Sequence, residues 1–151
     1  MKHFEDFKVG ETDEFGHYKV TREEVIDFAS RYDPQPFHLN DEAAAQTYFG
    51  KISASGWHTC GMTMRMMVDR GKENPVAGEG SPGVDQVRWK IPVYPGDTLR
   101  VRSEVIAARP LKSRPTHGVV TTRHETVNQN GDVVMTFEGA VLIRRRAPSQ
   151  D

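Results

Sequence analysis

Apolar positions recur at helical spacing through the first half of the chain and alternate through the second. Val25, Phe28, Ala29 and Tyr32 fall at i, i+3, i+4 and i+7, which marks one face of a short helix. Thr21 followed by Glu24 has capping-box spacing at its start. Pro34 disfavours helical geometry in the residue before it, so the helix ends by Tyr32 or Asp33. A second short helix is predicted with Asn40 or Asp41 as N-cap, running through Ala43, Ala44 and Ala45 and stopping near Gly50. From Trp57 to Arg70, WHTCGMTMRMMVDR, apolar residues fall on nearly every side of the helical wheel, the pattern of a buried helix.

From Val84 the period becomes two. Val87, Trp89 and Ile91 alternate with charged residues, Leu99, Val101, Val105 and Ala107 continue the alternation, and Val133, Met135, Phe137, Gly139, Val141 and Ile143 share one face. Asn130-Gly131 signals a hairpin, and PVYPGD, Pro92 to Asp97, signals a tight turn. With an early strand near DEFGHYKV, the pattern predicts about five strands, mostly antiparallel, and one long apolar helix. The economical packing is an α+β fold in which a curved sheet wraps around that helix.

Composition narrows the function classes. A chain of 151 residues without repeats, low-complexity segments or long linkers is expected to form one domain, 1–151. Lys+Arg number 20 and Asp+Glu 21, so the charge gives no reason to expect nucleic acid or an anionic membrane as partner. The run Arg144-Arg145-Arg146 reads as a solvated strand end. The single cysteine, Cys60, permits no intrachain disulfide and suits a reducing compartment. MKHFEDFKVG has no apolar stretch, and no run reaches the roughly 18 residues of a membrane span. A soluble, unprocessed cytoplasmic chain is the expectation.

Chemistry concentrates in YDPQPFHLND. Pro34 and Pro36 stiffen a loop that carries Asp33 and His38 five residues apart. An imidazole titrates near neutrality and a carboxylate beside it can share a water, which suits proton transfer. The plainer alternative is an aspartate capping the next turn and a histidine bonded at the surface. In SASGW, small residues lead to Gly56 at a helix start, where a free N–H at the positive end of the dipole suits an oxygen gaining negative charge. Alternatively Ser53 or Ser55 simply caps that helix. The methionines Met62, Met64, Met66 and Met67 fit either an adaptable ligand slot or core packing. His58 with His38 and Asp41 lacks the spacing of a known metal site, so no metal is expected. Cys60 has no cationic neighbours in sequence and reads as a structural thiol.

These pieces together resemble the MaoC-like dehydratase family, the (R)-specific enoyl-CoA hydratases of the hot-dog fold. The resemblance spans FEDFKVGET (Phe4 to Thr12), TREEVIDFASRYDPQPFHLND (Thr21 to Asp41), ASGWH (Ala54 to His58), VRWKIPVYPGDTLRV (Val87 to Val101) and VNQNGDVVMTFEGAVLI (Val127 to Ile143). It implies that Asp33 and His38 activate a water while the Gly56 N–H holds the thioester oxygen. It also implies substrate contacts from Ser55, Trp57 and Met64, with the acyl chain along the methionine-rich helix. The expected substrate is an acyl-CoA, coenzyme A being part of the substrate and no other cofactor being required. Two subunits are expected to pair edge to edge, as a homodimer or as dimers of dimers or trimers of dimers. The chain departs from the family in having Gln35 in place of asparagine, HLND in place of HxD and ASG in place of AHG. A hot-dog thioesterase and a non-catalytic acyl-CoA binder remain as alternatives.

Overall fold

Thr21 Oγ1 accepts the Glu24 amide at 3.2 Å and starts helix α1, Arg22–Tyr32. The computed structural model describes residues 1–148. Only half of the capping box forms, because the Glu24 carboxylate turns away from the helix start to accept from Tyr18 Oη and His58 Nε2. Helix α1 buries Val25 and Ala29. Tyr32 stays exposed, so the apolar stripe is one residue shorter than its spacing suggests. Asn40 Oδ1 accepts from the Ala43 amide at 2.9 Å and caps α2, Asp41–Ala45. An extended stretch then leads into α3, Gly56–Glu73, about 27 Å long.

Five strands follow the alternating pattern: β1 (Thr12–Lys19), β2 (Gly83–Trp89), β3 (Thr98–Pro110), β4 (His117–Val127) and β5 (Val133–Arg144). They form one sheet in the order β1-β3-β4-β5-β2, with every neighbouring pair antiparallel. Asn128 Oδ1 accepts from the Asn130 and Asp132 amides, and Gly131 takes a positive φ of 80°, so the predicted turn joins β4 to β5. Asp97 Oδ2 accepts from the Tyr94 amide in the turn before β3.

The sheet wraps α3 through one core of Met62 and Met66 with Leu99, Val101, Val134, Met135 and Phe137. Within it, Thr63 and Thr126 hydroxyls bond at 2.7 Å, which satisfies two buried polar atoms and contributes on the order of 1 kcal/mol. The result is the α+β hot-dog arrangement. Helix α3 departs from its expected full burial. It buries His58, Thr59, Met62, Thr63 and Met66, with His58 stacked on Phe28 of α1 and Met62, Thr63 and Met66 against the sheet, while Trp57, Met64 and Val68 form an exposed stripe. The apolar wheel therefore contains two faces, and the sheet covers one of them.

The N-terminal turn Phe4–Asp6 closes the other end of the sheet, packing Phe4 and Phe7 on Val105, Val120 and Ile143. The basic run is not merely solvated. Arg144 pairs with Glu79, Arg145 with Glu5, and Arg146 grips both carboxylate oxygens of Asp6. No helix among the described residues is long and apolar enough to cross a membrane.

Candidate active site

Helix α1 ends at Asp33, and the prolines carry the chain into a single turn, Pro36–His38. Pro36 sits in the first turn position, where its missing N–H removes no helical bond. The edge of Phe37 packs on the His38 ring at 4.6 Å, and His38 is only 5% exposed. His38 Nδ1 lies 2.7 Å from the Ser53 carbonyl oxygen. That oxygen can only accept, so the bond assigns a hydrogen to Nδ1, and in the neutral ring it is Nε2 that carries the lone pair. Nε2 stands 3.4 Å from Asp33 Oδ2. Two facing acceptors can each receive one O–H of a single water and turn its oxygen outward.

The other Asp33 oxygen, Oδ1, accepts from Gln35 Nε2 at 2.6 Å. Burial pushes the Asp33 pKa up, but the bond from Gln35, the nearby Ser55 hydroxyl and the His38 ring outweigh it and hold the carboxyl below its usual range. The Ser55 hydroxyl remains outside full hydrogen-bond geometry and has no protein partner, as is also true of Ser53. Both are buried.

Asp33, Gln35 and His38 open into a cavity of about 380 Å³ that also meets Gly56, Trp57, Thr59, Trp89 and Val93. Ser55 precedes α3 as its N-cap without a side-chain cap bond, so the first-turn amides keep their donors unclaimed by a capping side chain. The Trp89 indole covers Gly56: a Cβ built there would lie 2.4 Å from Trp89 Cε2. Trp89 Nε1 also donates to the Gly56 carbonyl at 2.9 Å.

The structure thus brings Asp33, His38, Gly56 and Trp57 to one cavity. Ser55 touches the site from behind, through Asp33, and does not line the cavity. Met64 does not line it either; two turns past Gly56, it is half exposed on the outer stripe of α3. His58, His38 and Asp41 do not converge, since His58 bonds Glu24 while Asp41 pairs with Arg22 and accepts the Ile52 amide. Among the described residues no group of three His, Cys, Asp or Glu side chains could hold a metal ion. The Cys60 sulfur lies 3.6 Å from Met135 Sδ, and burial pushes its thiol pKa up, away from a nucleophilic thiolate.

Two contributors carried no functional signal in the sequence pattern. Gln35 stood out only as a departure from asparagine, and Trp89 only as one of an alternating apolar set. A larger cavity of about 540 Å³ lies at the other end of α3, against the inner face of the sheet. Its charged groups are already matched, Arg70 with Asp13 and Lys2 with Glu11. Its His124 accepts or donates at Nδ1 with Ser103 Oγ, 2.9 Å away, and burial depresses its pKa to about 4, leaving it neutral and weakly basic. That cavity lacks the facing acid and base of the smaller one.

The chain matches the family described as "MaoC like domain" over residues 6–128. The MaoC-like dehydratase of Rhodospirillum rubrum superposes with a TM-score of 0.88 at 39% identity, covering 96% of this chain and 98% of that one. The 3-hydroxybutyryl-CoA dehydratase of Methylorubrum extorquens is 32% identical over 114 residues, 74% of this chain and 69% of the relative. The uncharacterized protein YdeM of Bacillus subtilis is 29% identical over 143 residues, 93% of this chain and 98% of that protein. Fold, site and similarity define one class, and this chain belongs to the MaoC-like dehydratase family.

Proposed function

We propose that this protein reversibly hydrates a trans-2-enoyl thioester carried by coenzyme A to the (R)-3-hydroxyacyl thioester. The observation that carries the reading is the 3.4 Å approach of His38 Nε2 to Asp33 Oδ2 in a cavity that also contains the start of α3. In the hydration direction, a water donates one hydrogen bond to each of the two acceptors. Its oxygen attacks C3, one water proton passes to the Asp33/His38 pair, and the C2=C3 electrons shift toward the thioester oxygen. The Gly56 N–H stabilises that oxygen, an effect worth about 3–4 kcal/mol for one well-placed donor. The pair then returns a proton to C2 on the same face, so one H and one OH are added and nothing is oxidised or reduced. No metal or redox cofactor is needed for this sequence of steps.

The reading also proposes a second copy of the chain as partner. Strand β2 is an edge of the sheet, and the exposed apolar residues Val84, Trp89 and Ile91 lie on or just after it. Pairing two β2 edges would satisfy the open backbone groups and cover the outer stripe of α3.

The test follows the enoyl absorbance of crotonyl-CoA with wild type, Asp33→Asn and His38→Ala, with chiral analysis of the product. Loss of about 10²–10⁴-fold in kcat is expected for each variant. Unchanged activity in both would refute the assigned roles, and release of free thiol without hydration would point to thioester hydrolysis.

A further inference from the structure

We infer that one buried water, held by the Ser53 and Ser55 hydroxyls and by His58 Nδ1, is a fixed part of this site, and that through it His58 acts as a positioning residue for Asp33; the consequence for turnover rests on the hydratase reading. Four buried side-chain nitrogen and oxygen atoms lack a protein partner among the described residues, and three of them, Ser53 Oγ, Ser55 Oγ and His58 Nδ1, gather at the entry to α3. All three residues are at most 4% exposed. Buried polar groups are bonded in the great majority of cases, and a buried water typically makes about three bonds to groups that otherwise have none.

The chain is extended before α3, where the Ala54 N–H donates to the Val93 carbonyl at 2.8 Å. Ser53 and Ser55 therefore send their side chains to the same side, from positions about 6.5 Å apart, a gap that one water about 2.8 Å from each hydroxyl oxygen spans. His58 is the third residue of α3, and its side chain tilts back over the turn that Ser55 opens. Glu24 Oε1 only accepts, so the 2.9 Å bond places a hydrogen on His58 Nε2, and in the neutral ring Nδ1 carries the lone pair. Tyr18 donates to the same carboxylate oxygen, and Phe28 stacks on the imidazole at 4.8 Å, which fixes the ring. Donors and acceptors then match. The water gives one hydrogen to His58 Nδ1 and the other to Ser55 Oγ, and it accepts the hydrogen of Ser53. Ser55 keeps its own hydrogen for Asp33, beside which it lies and which His38 is the titratable group to face. The Ser53 carbonyl meanwhile accepts from His38 Nδ1 at 2.7 Å, so both members of the reacting pair rest on residues that hold this water.

The experiment combines a crystal structure of the protein with a carbon NMR titration of the Asp33 carboxyl, assigned by its loss in Asp33→Asn, for wild type, Ser53→Ala and His58→Gln. One water peak is expected within about 3.2 Å of all three atoms. Ser53→Ala deletes a single hydroxyl that touches neither Asp33 nor the substrate, and His58→Gln keeps a donor for Glu24 while removing Nδ1. Each should raise the Asp33 pKa by about half a unit or more, because the Ser55 hydrogen is no longer directed at the carboxylate. A merely structural role would not move that titration. The kcat/KM for crotonyl-CoA should fall by about threefold or more as Asp33 loses its fixed orientation. No water peak, a serine hydroxyl bonded directly to His58 Nδ1, or an Asp33 titration unmoved in Ser53→Ala or in folded His58→Gln overturns the inference and leaves the hydratase reading standing. A wild type with the water and the titration as expected, but without hydration of crotonyl-CoA or longer 2-enoyl-CoAs, overturns the hydratase reading and leaves the water in place.

Discussion

Replacing His124 by glutamine removes a proton-binding group that the folded chain resists charging. Burial beneath α3 lowers its pKa from the usual 6.5 to about 4. In the unfolded chain the ring takes up its proton near the ordinary value, so below that pH the unfolded state binds more protons than the native one. The stabilisation is therefore full above pH 6.5 and is lost progressively as the pH falls toward 4. At 1.36 kcal/mol per unit, the linkage between about pH 7.5 and about pH 5 amounts to about 2 kcal/mol. That is a large part of the roughly 5–15 kcal/mol by which a domain is stable. Glutamine is uncharged at both pH values and retains a polar head toward Ser103. Urea unfolding of both proteins at the two pH values isolates the effect, because every other group titrates alike in each. Wild type should lose about 2 kcal/mol more than His124→Gln, a midpoint difference of about 1 M. Equal losses would mean that His124 titrates normally in the folded protein. The argument that excludes the larger cavity as an acid–base site would then fail.

Other outcomes follow from single contacts. Gly56→Ala must displace the Trp89 indole and its bond to the Gly56 carbonyl, but the helix preference of alanine offsets that loss. Urea stability should change by less than about 1 kcal/mol while kcat falls by about tenfold or more. Gln35→Ala removes the 2.6 Å donor to Asp33, so the carboxyl pKa rises and the acid limb of the kcat/KM profile should move to higher pH. An unmoved limb would show that Gln35 does not hold Asp33 ionised. Thr21→Ala removes the acceptor that caps α1 and should cost about 1 kcal/mol in urea unfolding; no measurable change would show that the Thr21 cap does not stabilise the start of α1.

The elements that were legible in the sequence are those governed by local chemistry. Thr21 and Asn40 accept from amides three residues on, and Asn130-Gly131 makes a turn in which Gly131 takes a positive φ and Asn128 accepts from the amides that follow it. The loop from Asp33 to His38 was legible because proline limits its backbone. Long-range placement was less so. Trp89 was one of an alternating set, yet Gln86 takes a positive φ of 56° and the β2–β5 register shifts between Asp85 and Arg88. This irregularity in an edge strand precedes the ring that lies over Gly56. The apolar wheel of α3 could not reveal which side meets the sheet, and so Met64 was expected among the substrate contacts. Ser103 and His124 are opposite each other across β3 and β4, a pairing that is fixed only by strand register.

One oxygen atom, Oε1 of Glu24, receives both the phenol of Tyr18 on β1 and the imidazole of His58 on α3, while its own backbone belongs to α1. Three pieces of the scaffold are thus tied at a single knot, and the element leaving it toward the loop is α1, whose C-cap is Asp33. Any drift of the sheet edge against the central helix would be transmitted along α1 to the reacting carboxylate, so the alignment of acid and amide depends on a carboxylate about two and a half helical turns upstream of the chemistry.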